Sequence, residues 1–228
     1  MSLNSYIPNI YIIGPQSTGK TTLVNKLKAD LEHWLADSAI DKPQIVSEVA
    51  RTVLAKHKYS AEDIQTSTTR CFELQQLILE AQAAAEKEAL KTSSWFISDR
   101  SGLDPLVYAK RYAAPDAVER LKHLPVWKAV KARMESSLIV VCEAGTPWLL
   151  DDGVRLMPGS DQQWMQLFHD FCQLLGEVGL EYCVVPRTVL DLSDRAEFVW
   201  ARWTERRRSL KDNSPQYKDK TTWVSSDQ

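Results

Sequence analysis

The chain has 228 residues, of which 44% are hydrophobic and 25% charged, and its formal net charge is −2. Such a balance excludes default disorder and leaves enough apolar material for a sizeable core. It supplies no general positive field for a polyphosphate backbone, so nucleic acid is not expected as a partner. Four scattered cysteines, Cys71, Cys142, Cys172 and Cys183, form no C-x-x-C pair and no metal-like spacing with the four histidines. They read as reduced, mostly buried thiols. No run approaches the roughly 18 apolar residues of a membrane span. The stretch from Ile7 to Ile13 is broken by Pro8 and Asn9 and does not resemble a leader, so a cytosolic, soluble protein is expected.

Taken in chain order, Ile10-Tyr11-Ile12-Ile13 is an apolar, β-branched run that stops at Gly14 and predicts a buried strand. Apolar residues then recur at Leu23, Val24, Leu27, Leu31, Trp34 and Leu35 with the spacing of one helical face. Ile45-Val46 predicts a short second strand, and a helix is expected from near Val49. A long helix is predicted over about 61–91, followed by a third strand at Trp95-Phe96-Ile97. Asp104-Pro105 has the form of an N-cap and first-turn proline for the next helix. Leu138 to Cys142 is the clearest strand, apolar on both faces as in a covered parallel sheet. Ser160 and Gln163 fit a capping box, Tyr182 to Val185 a fifth strand, and Asp194 to Arg208 a final helix. The expected fold is α/β, a doubly wound five-stranded parallel sheet of the P-loop NTPase, nucleotide-kinase type. Residues 1–208 form the expected domain, with a lid at about 143–159, and 209–228 a polar tail.

The segment Gly14-Pro15-Gln16-Ser17-Thr18-Gly19-Lys20-Thr21 fits the pattern G-x-x-x-x-G-K-[ST], and it stands between a strand and a helix as a phosphate-binding loop requires. Successive backbone N–H groups and the helix start would receive the phosphates, with Thr22 continuing the site. Lys20 is expected to reach the β- and γ-phosphates, and the Thr21 hydroxyl to join a Mg²⁺ shell. A guanine-reading N-K-x-D segment is missing, since Asn25-Lys26-Leu27-Lys28 lacks the aspartate, so ATP is the expected nucleotide.

Two clusters stand at strand ends, where an open α/β sheet gathers its ligands. Glu48 and Arg51, three positions apart, can share one face of a helix or form a plain surface ion pair. Asp99 and Arg100 follow the third strand, and Asp99 could hold metal or cap the next helix. Phosphoryl transfer needs a metal ligand, cations and a group that orients or deprotonates the attacking hydroxyl. Asp99 suits the metal shell, Glu48 the acceptor or base role, and Arg51 and Arg100 the phosphate charge. The residues alone leave the roles of Glu48 and Asp99 exchangeable.

The P-loop, the Glu48-x-x-Arg51 cluster, the Asp99-Arg100-Ser101 turn and the segment from Thr146 to Arg155 together resemble the NadR-type ribosylnicotinamide kinase domain and its eukaryotic relatives. That group belongs to the P-loop kinases related to thymidylate kinase. The resemblance runs in order from residue 8 to about 200. It implies a mobile lid whose phosphate-directed arginine is matched by Arg155, with pairing to Asp151 or Asp152 as the bland alternative.

The expected activity is ATP- and Mg²⁺-dependent transfer of a phosphoryl group to a hydroxyl of a nucleoside-like small molecule, with ribosylnicotinamide the first candidate. The competing reading is a nucleotide-binding, slowly hydrolysing module that acts on a protein or lipid partner. Gln75 and Gln76 could present an amide to a base or simply be solvated, Trp148 could stack on an acceptor or anchor the lid, and Arg206-Arg207-Arg208 reads as a solvated cluster complementing a helix end.

Overall fold

The computed structural model describes residues 7–36, 40–148 and 160–212. The first part of the chain gives β1 (Ile10–Ile13), α1 (Lys20–Ala29), α2 (Leu31–Leu35), β2 (Gln44–Val46), α3 (Ala50–His57), α4 (Ala61–Thr66), α5 (Thr68–Thr92) and β3 (Phe96–Asp99). The second gives α6 (Leu103–Tyr112), α7 (Ala117–His123), α8 (Pro125–Glu135), β4 (Leu138–Cys142), α9 (Asp161–Glu177), β5 (Cys183–Val185) and α10 (Leu192–Asp212).

The strands form one parallel sheet in the order β2-β3-β1-β4-β5. This is the doubly wound five-stranded sheet that the alternation of strands and helices predicts. β1 pairs with β3 through Ile10–Ile97 and Ile12–Asp99, and with β4 through Ile10–Leu138 and Ile13–Val141. Both β1 and β4 are buried along their whole length because helices cover both faces. Alternation along the strands then divides the core. Tyr11, Ile13, Ile139 and Val141 pack on one side with Leu79, Leu106 and Phe171, whereas Ile10, Ile12, Leu138 and Val140 pack on the other with Leu23, Leu27 and Trp200. A third, smaller cluster of Val53, Ile64, Cys71, Leu74 and Ile78 ties α3 and α4 to α5.

Several local expectations are corrected. The long helix is interrupted at Ser67, whose backbone is extended and whose side chain accepts from the Arg70 N–H, so a new helix starts there. The first predicted helical face is split at Asp30 into α1 and α2, and Trp34 is partly exposed, stacked 5.8 Å from Trp200. Asp104 is not the N-cap of α6, which begins at Leu103. From the second helical position its carboxylate accepts from Ser101 N at 2.9 Å and Ser101 Oγ at 3.0 Å, and it is Ser101 Oγ that accepts from a first-turn N–H, that of Leu103, at 3.1 Å. α10 continues past Arg208 to Asp212, so Arg206 lies within the helix. It pairs with Glu181 at 2.7 Å and donates to the carbonyl of Glu135, the last residue of α8, so it complements the end of that helix rather than of its own. Ser160 does cap α9, accepting from Gln163 N at 3.2 Å. The four cysteines are free thiols, with Cys71 and Cys142 buried. Among the described residues no helix is long and apolar enough to cross a membrane.

The chain leaves β1 towards β2 and β3 on one side and later returns to β4 on the other. The sheet's switch point therefore lies beside β1, at the C-terminal ends of the strands, where such sheets receive ligands.

Candidate active site

The loop from Gly14 to Gly19 fills this switch point. Gly14 has φ +123°, and a Cβ there would stand 2.7 Å from the Cys142 carbonyl oxygen of β4, so both conformation and space demand glycine. Gly19 has φ +78°, and Ser17 has φ +56° without being glycine, at a cost of about 1–2 kcal/mol. These left-handed residues curl the loop into the kind of concavity whose N–H groups receive anions. Thr18 Oγ1 donates to Pro15 O at 3.0 Å, bracing it from within. Lys20, the first residue of α1, is 5% exposed, and its ammonium donates to Pro15 O and to Thr18 Oγ1. Burial pulls its pKa down to about 7, with the Arg100 charge adding to the effect. A buried cation with only neutral protein partners is well suited to an incoming polyphosphate.

Asp99 ends β3 beside the loop because β3 pairs with β1 in register, Ile12 against Asp99. Its Oδ2 accepts from Thr21 Oγ1 at 2.5 Å, and its Oδ1 is buried without a hydrogen-bond partner. The helix-capping alternative for Asp99 is not realised, since its Oδ2 accepts from Thr21, its Oδ1 accepts from nothing, and the Leu103 N–H goes to Ser101 Oγ. Among the described residues no group of three or more His, Cys, Asp or Glu could hold a metal. A Mg²⁺ ion of the phosphate-bridging kind needs only one or two protein ligands besides phosphate and water. An orphaned carboxylate oxygen beside a threonine hydroxyl fits that requirement.

Arg100 follows with φ +87°, a left-handed non-glycine residue at the site itself. Its N–H donates to Ile12 O at 2.9 Å, which locks the turn onto β1. The guanidinium is clamped between Glu48 Oε1 at 2.6 Å and Asp104 Oδ1 at 3.1 Å. Arg51, from the first turn of α3, reaches Glu48 Oε2 at 3.2 Å. Burial raises the Glu48 pKa, but Arg100 outweighs it, with Lys20 and Arg51 contributing, and the carboxyl is held down to about 2. Glu48 is thus a fixed carboxylate across the neutral pH range and a very weak base.

Two cavities meet at this pair. The cradle cavity, about 400 Å³, is lined by Ser17, Gly19, Lys20, Thr21 and Thr22, with Trp148, Leu190, Leu192 and Arg195 on the far side. The second cavity, about 90 Å³, has apolar walls that include Leu54, Ile64, Leu74, Ile78 and Pro105, and polar groups that include Gln75, Gln82 and Tyr108. Glu48 and Arg100 line both. Gln16 and Arg51, expected with the phosphate-binding residues, line the second cavity instead, and Tyr108 Oη donates to Gln16 Oε1 at 3.2 Å. Gly14, Pro15 and Thr18 shape the loop from beneath. Trp148 lies over Gly19 and 5.5 Å from the Arg195 guanidinium, in the cradle cavity rather than the second one. Of the amide pair considered on α5, Gln75 is buried and lines the second cavity, whereas Gln76 bonds Glu80 at 2.9 Å.

The sequence reading missed Gln82, Tyr108, Asp104 and Arg195. Gln82 is 1% exposed, its Nε2 donates to Glu86 Oε1 and Ser98 Oγ at 3.0 Å each, and its Oε1 is buried without a partner. Leaving such a carbonyl unpaired costs about 1–3 kcal/mol. Polar residues at 75, 82 and 86 interrupt the buried stripe of α5 made by Cys71, Leu74, Ile78 and Ala89, a signal legible in the sequence. Arg195 is 2% exposed and donates to Thr18 O at 2.9 Å, bracing the loop from α10 across a separation that no local motif reveals. Arg155 and residues 149–159 of the expected lid lie outside the described residues, as do residues 213–228 of the expected tail.

Residues 9–195 match the protein-family profile described as AAA domain. Among solved structures, NadR protein in complex with NR is 20% identical with a TM-score of 0.64, and the match covers 89% of this chain and 52% of that one. NadR protein in complex with NAD and AMP-PNP is 18% identical with a TM-score of 0.64, covering 88% of this chain and 50% of that one. This chain therefore spans about half the length of those NadR chains and has their fold over that half. No curated protein matches the sequence.

Proposed function

The chain belongs to the AAA domain family, and from that premise and its two joined cavities we propose that it is a small-molecule kinase that moves the γ-phosphoryl group of ATP to a hydroxyl of a nucleoside-like acceptor. The single observation that carries this reading is the Glu48–Arg100 pair, which lines the phosphate cradle and a second, largely apolar cavity at once. A site that only bound and hydrolysed a nucleotide needs no such second cavity.

The polyphosphate lies along the loop, its charge met by the start of α1 and by Lys20. Thr21 and Asp99 would hold Mg²⁺, which when bound neutralises charge on the β- and γ-oxygens. Glu48 accepts a hydrogen bond from the acceptor hydroxyl and aims its oxygen at the γ-phosphorus. The new oxygen–phosphorus bond forms as the bond to the bridging oxygen breaks, ADP leaves, and the hydroxyl proton passes to an oxygen of the transferred phosphoryl group. A carboxylate held near pKa 2 is a poor proton acceptor, so Glu48 orients rather than deprotonates. A loose transition state asks for little more, because positioning and electrostatics dominate. Arg100 and Arg51 fix Glu48 and leave positive charge beside the transferring group.

Ribosylnicotinamide remains the first candidate acceptor, supported by the fold shared with NadR and by the apolar walls and few convergent polar groups of the second cavity, which suit an aromatic ring with a polar substituent. Incubation with γ-labelled ATP, Mg²⁺ and a panel of ribosides, nucleotides and other metabolites tests the proposal. Label is expected in a riboside. Tight nucleotide binding with slow release of labelled phosphate, and label in no acceptor, would return the chain to the regulatory reading.

A further inference from the structure

We propose that Gln82 determines acceptor specificity: its Oε1 accepts from an N–H or O–H group of the molecule in the second cavity, so the site selects a donor at that place and rejects acceptor-only isosteres. This rests on the kinase reading above.

The inference comes from the polarity of a buried amide. Gln82 stands on the wall of the second cavity with 1% of its surface exposed. An amide has two donor hydrogens and an oxygen with two lone pairs, and its orientation follows from what surrounds it. Here the surroundings decide it. Arg133 Nε and Tyr11 Oη both donate to Glu86 Oε2, at 2.9 and 3.1 Å, which leaves Glu86 Oε1 to accept from Gln82 Nε2 at 3.0 Å. Ser98 Oγ, from β3, takes the second Nε2 contact at 3.0 Å. Turning the amide over would set its carbonyl oxygen against the Glu86 carboxylate. The nitrogen is therefore committed to the protein, and the oxygen is the atom without a partner.

A buried acceptor of this kind needs a donor. The protein supplies none, although Gln82 is surrounded by polar groups. Glu86 is itself wholly buried, so the chain maintains an Arg–Glu–Gln–Ser network beneath the cavity with two buried atoms unpaired, Arg133 Nη2 and Gln82 Oε1, and of these two residues only Gln82 lines the cavity. Apolar residues at these positions would have closed the core at lower cost. Such a network makes sense as a template for the ligand, because a site built to bond an N–H or O–H leaves a buried group unpaired when the analogue lacks it.

The donor can come from the ring or from the sugar, and one experiment separates them. Initial rates of transfer from ATP are measured for matched pairs that lose an exocyclic N–H: the pyridine-3-carboxamide riboside and its 3-carboxylate, cytidine and pyrimidin-2-one riboside, adenosine and purine riboside. The 2′-deoxy and 3′-deoxy forms of each accepted riboside complete the set. In the natural sequence, loss of one donor is expected to lower kcat/KM by about tenfold or more. In Gln82→Met that one penalty shrinks to within about threefold while the other pairs keep theirs. A ring donor is identified by the first set and a sugar hydroxyl by the second. Phosphorylation of ribosides with no donor-dependent penalty, or a penalty unchanged in Gln82→Met, overturns the assignment and leaves the kinase reading standing. Absence of transfer to every compound overturns both. Gln82→Met also takes a donor from Glu86 and Ser98; if it does not fold, the paired ligands in the natural sequence still decide, since equal rates within every pair refute the proposal.

Discussion

The cradle and the second cavity are built in opposite ways. The cradle is made by eight consecutive residues, and most of its geometry is backbone: Gly14 against the Cys142 carbonyl, left-handed Ser17 and Gly19, and a buried Lys20 that caps the turn. The second cavity is assembled mainly from side chains on four separate helices, α3, α4, α5 and α6, which converge only when the chain folds. The first type of site keeps a general ligand, a polyphosphate, and varies little with side-chain choice. The second can change its ligand by exchanging single side chains, so recognition of the acceptor resides there.

The cradle should then fail all at once, and a change there should give the largest effect. Lys20→Ala removes the charge nearest the transferring group, and transfer is expected to fall on the order of 10³-fold, as when a comparable phosphate-directed cation is lost. The folded state should survive, because a large side chain is replaced by a small one at a loop–helix junction without a new polar group. Steady-state kinetics and circular dichroism check both parts. A folded Lys20→Ala protein that transfers at a normal rate would place the phosphates elsewhere.

A smaller effect sharpens the same contrast through pH. In the empty cradle burial holds Lys20 at about 7, and an incoming polyphosphate must pull that value back up. At pH above about 7 the site is largely neutral when empty and charged when filled, so binding takes up a proton, and affinity falls by up to about tenfold per pH unit. Calorimetry near pH 8.5 in buffers of different ionisation enthalpy should show uptake of close to one proton, and none in Lys20→Ala. Riboside binding to the second cavity should lack this linkage, since Glu48 is held near 2 and stays ionised throughout. Equal proton uptake for both ligands would erase the distinction between the two sides.

The same contrast explains what the sequence disclosed. The five strands and the phosphate loop are readable because each depends on a local pattern, an apolar run or a glycine where a Cβ cannot fit, and the alternation of strands with helices indicates a parallel sheet, while the strand order came from the structure. Glu48, Asp99 and Arg100 are readable as strand-end polar residues, although which of them would pair needed the register of β1 with β3 and the arrival of α3. Gln82 was legible only as a polar break in the buried stripe of α5, and Tyr108 looked like an ordinary helix residue until α5 and α6 faced one another across the cavity. Arg195 acts 177 positions away from Thr18. The break at Ser67 left a local trace, since Thr66-Ser67-Thr68-Thr69 is a run of weak helix formers. The good helix formers further along outweigh it in a long sequence window, whereas the Ser67 side-chain bond to Arg70 N decides locally.

The central claim is that phosphoryl transfer crosses from one cavity to the other at Glu48. Glu48→Gln keeps the size of the side chain and removes the charge that aims the acceptor hydroxyl. The most direct measurement is the single-turnover rate of transfer to the accepted riboside, taken together with the nucleotide dissociation constant of the same protein. A rate lowered on the order of 10²-fold with nucleotide affinity unchanged within about threefold is the predicted result, because a contact made with the acceptor in the transition state affects the chemical step and not nucleotide binding. An unchanged rate, or a loss carried entirely by nucleotide affinity, would contradict it and would assign Glu48 to the cradle alone.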